Sequence, residues 1–235
     1  MDFMISRDNK CSGRRLPALL ILMLMAVLSP LASEARQENE KNVKKVLFIG
    51  DSMTGWLSER FCAYGEKNGF QVATVVWDGS TISKWANSVG LTRIIDSQNP
   101  DVIFVSLGMN ELFEKNPAGR FASRMESLKK KFGDIPVVWI GPPSWPGKTG
   151  GSAMISFLRK EMGENRFFDS SDLDIQRQSR SNPHPSRAGM IKWMDSVVDW
   201  ISQDPSLHFK SLDRPESNRM SRGKTFIYKR MKETL

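Results

Sequence analysis

Short apolar runs alternate with helix-like stretches between residues 45 and 202. The runs are rich in Val and Ile and have the length of buried strands, and helical apolar spacing fills the intervals between them. Strands that are apolar throughout and separated by helices indicate a parallel sheet covered on both faces. The expected fold class is therefore α/β. The predicted strands are 45–49, 71–77, 101–107, 135–140 and 166–169, and the predicted helices are 56–68, 82–97, 117–132, 152–162 and 186–202.

The first 35 residues have the pattern of a secretory signal peptide. Arg14 and Arg15 precede 13 residues, 16–28, that are almost all apolar, and small residues at 33 and 35 suit cleavage after Ala35. Such a run is short for a hydrocarbon layer of about 30 Å, so a retained N-terminal anchor is the weaker alternative. We expect an exported protein, periplasmic or secreted, in which a polar linker covers 36–44.

Composition and cysteine usage exclude several classes of protein. Hydrophobic residues make up 40% and charged residues 26% of the 235 residues, which excludes a collagen-like, wholly disordered or disulfide-scaffold chain. Without residues 1–35, Cys62 is the one remaining cysteine, so no disulfide can form within the chain. We expect Cys62 to be a small buried hydrophobe on the first helix.

Positive charge is concentrated near the C-terminus. The chain has a net charge of +8, and residues 205–235 hold eight basic and three acidic side chains. We expect 204–235 to form a basic, partly disordered tail. Attraction to an anionic envelope surface is the functional alternative for this tail. No nucleic-acid partner is expected, since the basic segment comes without a recognition fold and the chain is expected to be exported.

Marked residues follow three predicted strands, at the edge where open parallel sheets bind ligands. Gly50-Asp51-Ser52 follows the first strand, and a serine at the start of a helix lies beside N–H groups that favour negative charge. Gly79 follows the second strand and permits close approach of a ligand to the backbone. Asn110 follows the third strand, and its amide can donate to an oxyanion. Taken singly, each is also typical of a turn or a helix cap.

A histidine suited to general-base work precedes the last predicted helix. His184 lies in the stretch 182–186, Asn-Pro-His-Pro-Ser, where two prolines stiffen the loop and Ser186 can cap the helix. His208 lies in the basic tail and is not expected to act in catalysis. Trp145 follows the Gly-Pro-Pro turn at 141–143 and is a candidate wall of a binding cleft.

In this order and context, the motifs resemble those of the SGNH (GDSL-type) hydrolases. The resemblance covers about residues 44–202, and it implies a flavodoxin-like, three-layer α/β/α fold with a five-stranded parallel sheet over 45–203. It also implies ester chemistry, with Ser52 as nucleophile and His184 as general base. The implied oxyanion hole consists of the backbone N–H groups of Ser52 and Gly79 and the side-chain amide of Asn110. No metal ion or organic cofactor is implied.

The chain departs from the family's pattern at two positions. The family usually has Asp three residues before the histidine, where this chain has Ser181, and Glu111 stands where the third motif commonly continues with Asp. A third group orients the imidazole and stabilises its charge, so its identity affects the rate. The candidates for that role are the hydroxyl or carbonyl of Ser181 and the carboxylates of Asp169, Asp172 and Asp174.

The sequence therefore predicts an exported serine esterase or deacylase that works through an acyl-enzyme. The expected substrate is a small-molecule or glycan ester: an O-acetylated envelope polysaccharide, a lipid ester or a small ester. Acyl transfer to a sugar hydroxyl is a close variant, because it uses the same residues. A non-catalytic envelope-binding or assembly protein on the same scaffold is the alternative from another class, motivated by the absence of Asp at position 181.

Overall fold

A parallel sheet of six strands lies at the centre of the protein in a computed structural model, which describes residues 42–179, 182, 184–209 and 211–228. The strand order is β5-β4-β3-β1-β2-β6, and every neighbouring pair is parallel. The predicted α/β class is confirmed. The predicted signal peptide and linker residues 36–41 lie outside the described residues. The strands are β1 Lys45–Gly50, β2 Gln71–Trp77, β3 Val102–Ser106, β4 Val137–Ile140, β5 Phe167–Phe168 and β6 Lys224–Tyr228.

Helices cover both faces of the sheet, and one predicted helix is divided in two. The backbone of Ser88 is extended (φ −63°, ψ 121°), and its hydroxyl accepts the N–H of Leu91 at 3.1 Å, which starts a new helix. The single helix predicted over 82–97 is therefore wrong. Among the described residues, no helix is both long and apolar enough to cross a membrane. The helices are α1 Thr54–Asn68, α2 Ile82–Asn87, α3 Gly90–Gln98, α4 Pro117–Phe132, α5 Ser152–Met162 and α6 Arg187–Ile201.

The central strand β1 shows how the three layers form. Successive side chains of a strand point to opposite faces. Val46 and Phe48 accordingly belong to one apolar cluster with α1 and α6, whereas Leu47 and Ile49 belong to another with α2, α3, α4 and α5. Because both faces of β1 are apolar, both need cover. The first cluster also contains Leu57, Phe61, Cys62, Trp193 and Val197, and the second contains Trp85, Leu91, Met125 and Leu158.

The basic tail supplies the sixth strand, which corrects the predicted number of strands. Residues 224–228 pair with β2 in parallel, in the register Ala73↔Lys224 to Trp77↔Tyr228, so the sheet has six strands rather than five. The segment before β6 is also bonded to the rest of the domain, since Arg60 of α1 donates to two of its backbone carbonyls at 2.8 Å. The β-branched and aromatic residues of β6 suit an edge strand.

The predicted linker also ends earlier than expected. Val43 is buried, and its N–H donates to the carbonyl of His208 at 3.3 Å. The N–H of Lys44 donates to the carboxylate of Asp101 at 2.8 Å. Residues 43 and 44 therefore belong to the folded domain, held by contacts far along the chain.

Candidate active site

Ser52 lies exposed in the turn between β1 and α1. Gly50 ends β1 so close to the neighbouring strand that a Cβ atom there would lie 2.2 Å from the carbonyl oxygen of Ser106. Only glycine fits at that position, because the chain turns there in direct contact with the backbone of β3. Asp51 is buried, and its Oδ1 accepts the N–H of Met53 at 2.9 Å. The buried carboxyl thus closes the turn that presents Ser52 to solvent.

Asn110 links the motifs that follow the three central strands. Its Nδ2 donates to the carbonyl of Ser80 at 2.8 Å and lies 3.4 Å from Oδ2 of Asp51. Asp51 adjoins Ser52, and Ser80 adjoins Gly79, whose φ is +62°. The structure therefore places Asn110 against the chain neighbours of both Ser52 and Gly79.

Glu111, which stands where SGNH hydrolases commonly have Asp, supports the turn that follows β2. Its Oε1 accepts the N–H of Ile82 at 2.8 Å, at the first residue of α2. Its Oε2 is buried and has no hydrogen-bond partner among the described residues. The longer side chain ties the end of β3 to the start of α2.

Burial raises the pKa of both carboxyls in this region. Desolvation raises the pKa of Asp51 to about 7, the N–H of Met53 opposes that rise, and the charge of Asp78 adds to it. Desolvation also raises the pKa of Glu111 to about 7, against the N–H of Ile82, and the charge of Asp51 adds to the rise. Near neutral pH this region carries less negative charge than two ordinary carboxylates would, which favours an anion at Ser52.

The raised pKa of Asp51 predicts that the protein loses stability as the pH rises. An unfolded Asp releases its proton near pH 4, whereas the folded chain holds that proton to about pH 7. Between these values the folded state binds more protons, so the free energy of unfolding falls as the pH rises from 4 to 7. For a domain of this size, a change of 1 kcal/mol in the free energy of unfolding moves the melting temperature by about 2–4 °C. The melting temperature should therefore be lower at pH 8 than at pH 5, and we expect Asp51→Asn to reduce this difference by about 5 °C.

Differential scanning calorimetry at the two pH values measures this effect. Glu126→Gln removes an exposed carboxyl from α4 and serves as the matched control. An equal difference in melting temperature in Asp51→Asn and Glu126→Gln would show that the buried carboxyl does not carry the pH dependence.

The loop that carries His184 is tied to its surroundings at several points. The N–H of Gln178 donates to the carbonyl of His184 at 2.9 Å, and Arg177 pairs with Pro185 as an antiparallel bridge. The guanidinium of Arg177 donates to the carbonyl of Ser144 at 2.8 Å, which joins this loop to the loop after β4. These bonds hold the histidine on a fixed piece of backbone.

The start of α6 holds the other end of the loop. Ser186 caps the helix by accepting the N–H of Gly189 at 3.1 Å, as predicted. A Cβ atom at Gly189 would lie 2.2 Å from the carbonyl oxygen of Gln176. The absence of a side chain at Gly189 lets the loop pack directly on the first turn of α6.

The His184 ring contacts Asn182 and Trp145. Its Nδ1 lies 2.7 Å from Oδ1 of Asn182, and the Trp145 ring meets it edge to face, with centroids 6.4 Å apart and planes at 79°. No hydrogen bond joins the ring to Ser52 within the described residues. Catalytic hydrogen bonds are often long in unliganded enzymes and tighten when substrate binds.

Asn182, which sequence reasoning did not consider, is the group on Nδ1 of His184. The predicted partner Ser181 lies outside the described residues. Asp172 makes no hydrogen bond to the histidine in the described part of the chain, and Asp169 pairs with an arginine of α5. A role for Asp172 in orienting His184 stays a prediction. The sequence holds no local signal for the role of Asn182, because it depends on the loop bringing the Asn182 side chain onto the ring.

Comparisons with known proteins show the fold. No protein-family model matches the sequence, and no curated protein matches it. The family 3 carbohydrate esterase of Clostridium thermocellum superposes with a TM-score of 0.54 at 15% identity, over 71% of this chain and 98% of that one. The psychrotrophic esterase EstA from Pseudoalteromonas sp. gives a TM-score of 0.52 at 18% identity, over 68% and 97%.

A third solved structure, a two-domain esterase active on acetylated mannans, gives a TM-score of 0.52 at 10% identity. The match covers 79% of this chain and 56% of that one. These neighbours are hydrolases of the SGNH (GDSL) type. The fold of this protein is therefore that of the SGNH hydrolases, as the sequence motifs predicted.

Proposed function

We propose that this protein is a serine esterase in which Ser52 is the nucleophile and His184 the general base. The observation that carries the proposal is the contact of the Asn110 amide with both Asp51 and the Ser80 carbonyl, which gathers the strand-end motifs around an exposed serine. A serine hydroxyl needs an adjacent base to become a strong nucleophile. The esterases that share the fold support the same chemistry.

The residues around Ser52 suit the charge that develops during acyl transfer. The attacked carbonyl oxygen becomes an oxyanion, and the backbone N–H groups of Ser52 and Gly79 are its proposed donors. Nδ2 of Asn110 is the proposed third donor: it keeps its 2.8 Å bond to Ser80 and turns its second hydrogen from the long 3.4 Å contact with Asp51 to the oxyanion. The N-terminus of α1, two residues after Ser52, adds positive potential. The raised pKa values of Asp51 and Glu111, about 7 each, limit the opposing negative charge near neutral pH.

The proposed reaction has two balanced halves. Oγ of Ser52 attacks the ester carbonyl while His184 takes the hydroxyl proton, and the tetrahedral intermediate then expels the alcohol, which receives that proton. Water next attacks the acyl-Ser52 ester as His184 takes a proton from it. The second intermediate collapses to the free acid, and the proton on His184 returns to Oγ of Ser52.

We propose an acylated glycan as the substrate and an exported location for the enzyme. Trp145 contacts His184, Trp56 lies four residues after Ser52 and is 42% exposed, and Phe113 follows the third motif and is 45% exposed. These aromatic side chains are the proposed stacking faces for the sugar rings of the substrate. A cavity of about 340 Å³, which Ser144 beside Trp145 helps to line, adds polar groups: Ser144, Ser152, Ser156, Arg159, Asp169, Ser171 and Asp172.

Two structural neighbours support this choice of substrate. One is a carbohydrate esterase, and another is an esterase active on acetylated mannans. The predicted signal peptide would deliver the enzyme to the compartment that contains envelope polysaccharide. Transfer of the acyl group to a second sugar hydroxyl would use the same residues, with the hydroxyl in place of water.

Covalent labelling with a fluorophosphonate tests the nucleophile. We expect one phosphonyl group per molecule, displacing fluoride, on the tryptic peptide that contains Ser52. Ser52→Ala should abolish the label, whereas Ser123→Ala, which removes an exposed serine of α4, should retain it. Folded wild-type protein that takes no label would contradict the proposal.

Release of the free carboxylic acid from two kinds of ester tests the substrate. We expect kcat/KM for an acetylated oligosaccharide to exceed that for a long-chain lipid ester by at least about tenfold, and Trp145→Ala to reduce this preference by weakening sugar stacking. Equal rates on both esters, or a preference for the lipid, would contradict the glycan proposal without affecting the assignment of Ser52.

A further inference from the structure

A chain of hydrogen bonds leads from a backbone carbonyl to the His184 ring. Nε2 of Gln178 donates to the carbonyl of Pro185 at 3.3 Å, and Nδ2 of Asn182 donates to Oε1 of Gln178 at 2.8 Å. Oδ1 of Asn182 lies 2.7 Å from Nδ1 of His184. A backbone carbonyl can only accept, so it selects the amide nitrogen of Gln178, and each following group is then fixed in turn.

The direction of these hydrogen bonds determines which nitrogen of the His184 imidazole carries the proton. Because Oδ1 of Asn182 is an acceptor, Nδ1 of His184 must carry the proton of the neutral ring. The lone pair of Nε2 is then free to accept a proton from Ser52. The hydrogen bonds thus select the tautomer that a general base needs.

The backbone of Asn182 is held as firmly as its side chain. Its N–H donates to Oγ of Ser179 at 2.9 Å, and its carbonyl accepts the N–H of Ser179 at 3.1 Å. Oδ1 of Asn182 also accepts the N–H of His184 at 3.4 Å. The amide that faces the imidazole therefore belongs to a closed turn rather than to a freely rotating side chain.

We propose that Asn182 is the positioning residue of His184, in the place where SGNH hydrolases carry a carboxylate, and that Gln178 orients Asn182. This inference rests on the proposed roles of Ser52 and His184. An uncharged amide fixes the ring and its tautomer as a carboxylate does, but it adds no negative charge to stabilise the imidazolium. The protein thus keeps the geometry of a triad with a neutral third member.

Substitutions at position 182 separate positioning from a merely structural role. Asn182→Leu keeps the approximate size but removes the acceptor, and we expect kcat to fall by about 10²-fold with KM within twofold. Asn182→Asp keeps the acceptor and should restore kcat to within about tenfold of wild type. It should also move the acidic limb of kcat/KM up by about one pH unit, because a carboxylate favours the charged imidazole.

Two controls isolate the effect of position 182. Arg177 and Asp172, the charged residues of the adjoining loops, are unchanged in these variants. Asn165→Leu makes the same substitution at an exposed position in the Glu164–Arg166 turn, and it should alter neither kcat nor the pH profile. A pH limb that does not move in Asn182→Asp, with full activity in Asn182→Leu, would overturn the proposal.

A measurement that needs no activity separates this inference from the proposed function. The chain has two histidines, so His208→Asn leaves His184 as the one imidazole in the folded domain, and Asn suits the left-handed backbone at position 208 (φ 54°). The ¹⁵N spectrum should show the Nδ1–H tautomer of the neutral ring, and Asn182→Leu should shift it towards Nε2–H.

Phosphonate labelling and the tautomer of His184 distinguish a failure of this inference from a failure of the proposed function. If phosphonate labels Ser52 but neither the tautomer nor the pH profile responds at position 182, this inference is overturned and the proposed function stands. If the tautomer depends on Asn182 while wild-type protein neither takes the label nor cleaves esters, the positioning of the ring stands and the proposed function is overturned.

Discussion

Ser52→Ala and His184→Ala are each expected to lower kcat/KM for an acetyl ester by about 10³-fold or more, and the double variant is expected to lose no more than the worse single variant. The reason is that a nucleophile and its base act as a unit: without Ser52 the histidine has no proton to accept, and without His184 the hydroxyl stays a weak nucleophile. The activity that survives would come from binding and from the oxyanion donors.

Steady-state hydrolysis of a chromogenic acetyl ester by the two single variants and the double variant measures this coupling. Melting temperatures within a few degrees of wild type would show that the loss is chemical, as expected for an exposed serine and a partly exposed histidine. Ser123→Ala and His208→Asn provide matched controls with unchanged rates. Losses that multiply in the double variant would mean that the two residues act independently, contrary to the proposed mechanism.

The sequence was informative about the fold where the pattern is local. Apolar runs at 45–49 and 71–77 needed only their own composition to be identified as strands, and Gly69 ends α1 in a left-handed conformation (φ +80°) as expected of a helix C-terminus. β6 was missed for a non-local reason: its strand depends on pairing with β2 and on the bonds that Arg60 makes to the preceding segment. Neither is visible in the composition of 204–235.

The same distinction applies to the candidate site. Ser52, Gly79 and Asn110 could be predicted because each stands at the end of a strand, and parallel strands place their carboxyl ends at one edge of the sheet. Asn182 could not, since its role depends on the loop returning its side chain onto a histidine two residues away. The raised pKa of Asp51, about 7, likewise follows from burial among residues distant in the chain.

Asp195→Ala is expected to have the largest effect on stability of any substitution considered. The side chain of Arg60 is fully buried, and its guanidinium meets Asp195 with two bonds, Nε to Oδ1 at 2.7 Å and a terminal nitrogen to Oδ2 at 3.1 Å. The hydroxyl of Tyr64 donates to the same Oδ1 at 2.9 Å, and desolvation and this bond raise the pKa of that phenol. Removing Asp195 would leave a buried charge unpaired, which costs about 3–5 kcal/mol.

Thermal unfolding measures this cost, expected as a fall in melting temperature of about 10 °C. Arg222→Ala is the control, because its ion pair with Glu59 is on the surface and the Arg222 side chain is 87% exposed. A surface pair contributes about 0–1 kcal/mol. Equal melting temperatures in Asp195→Ala and Arg222→Ala would show that the buried pair does not stabilise the fold.

The same substitution should also release the segment that leads to β6. Arg60 holds this segment through the carbonyls of Glu216 and Arg219, at 2.8 Å each, and its orientation towards them depends on Asp195. We expect Asp195→Ala to be cleaved by trypsin within 211–224 under conditions in which wild type, which has the same cleavage sites, stays intact. Because β6 forms the edge of the sheet beside β2, its loss would expose the backbone of β2, and the variant should then aggregate at concentrations that wild type tolerates. A resistant Asp195→Ala that does not aggregate would instead mean that strand pairing and the other bonds of this segment, such as that from the N–H of Ser221 to the carbonyl of Glu59 at 2.8 Å, hold β6 without Asp195.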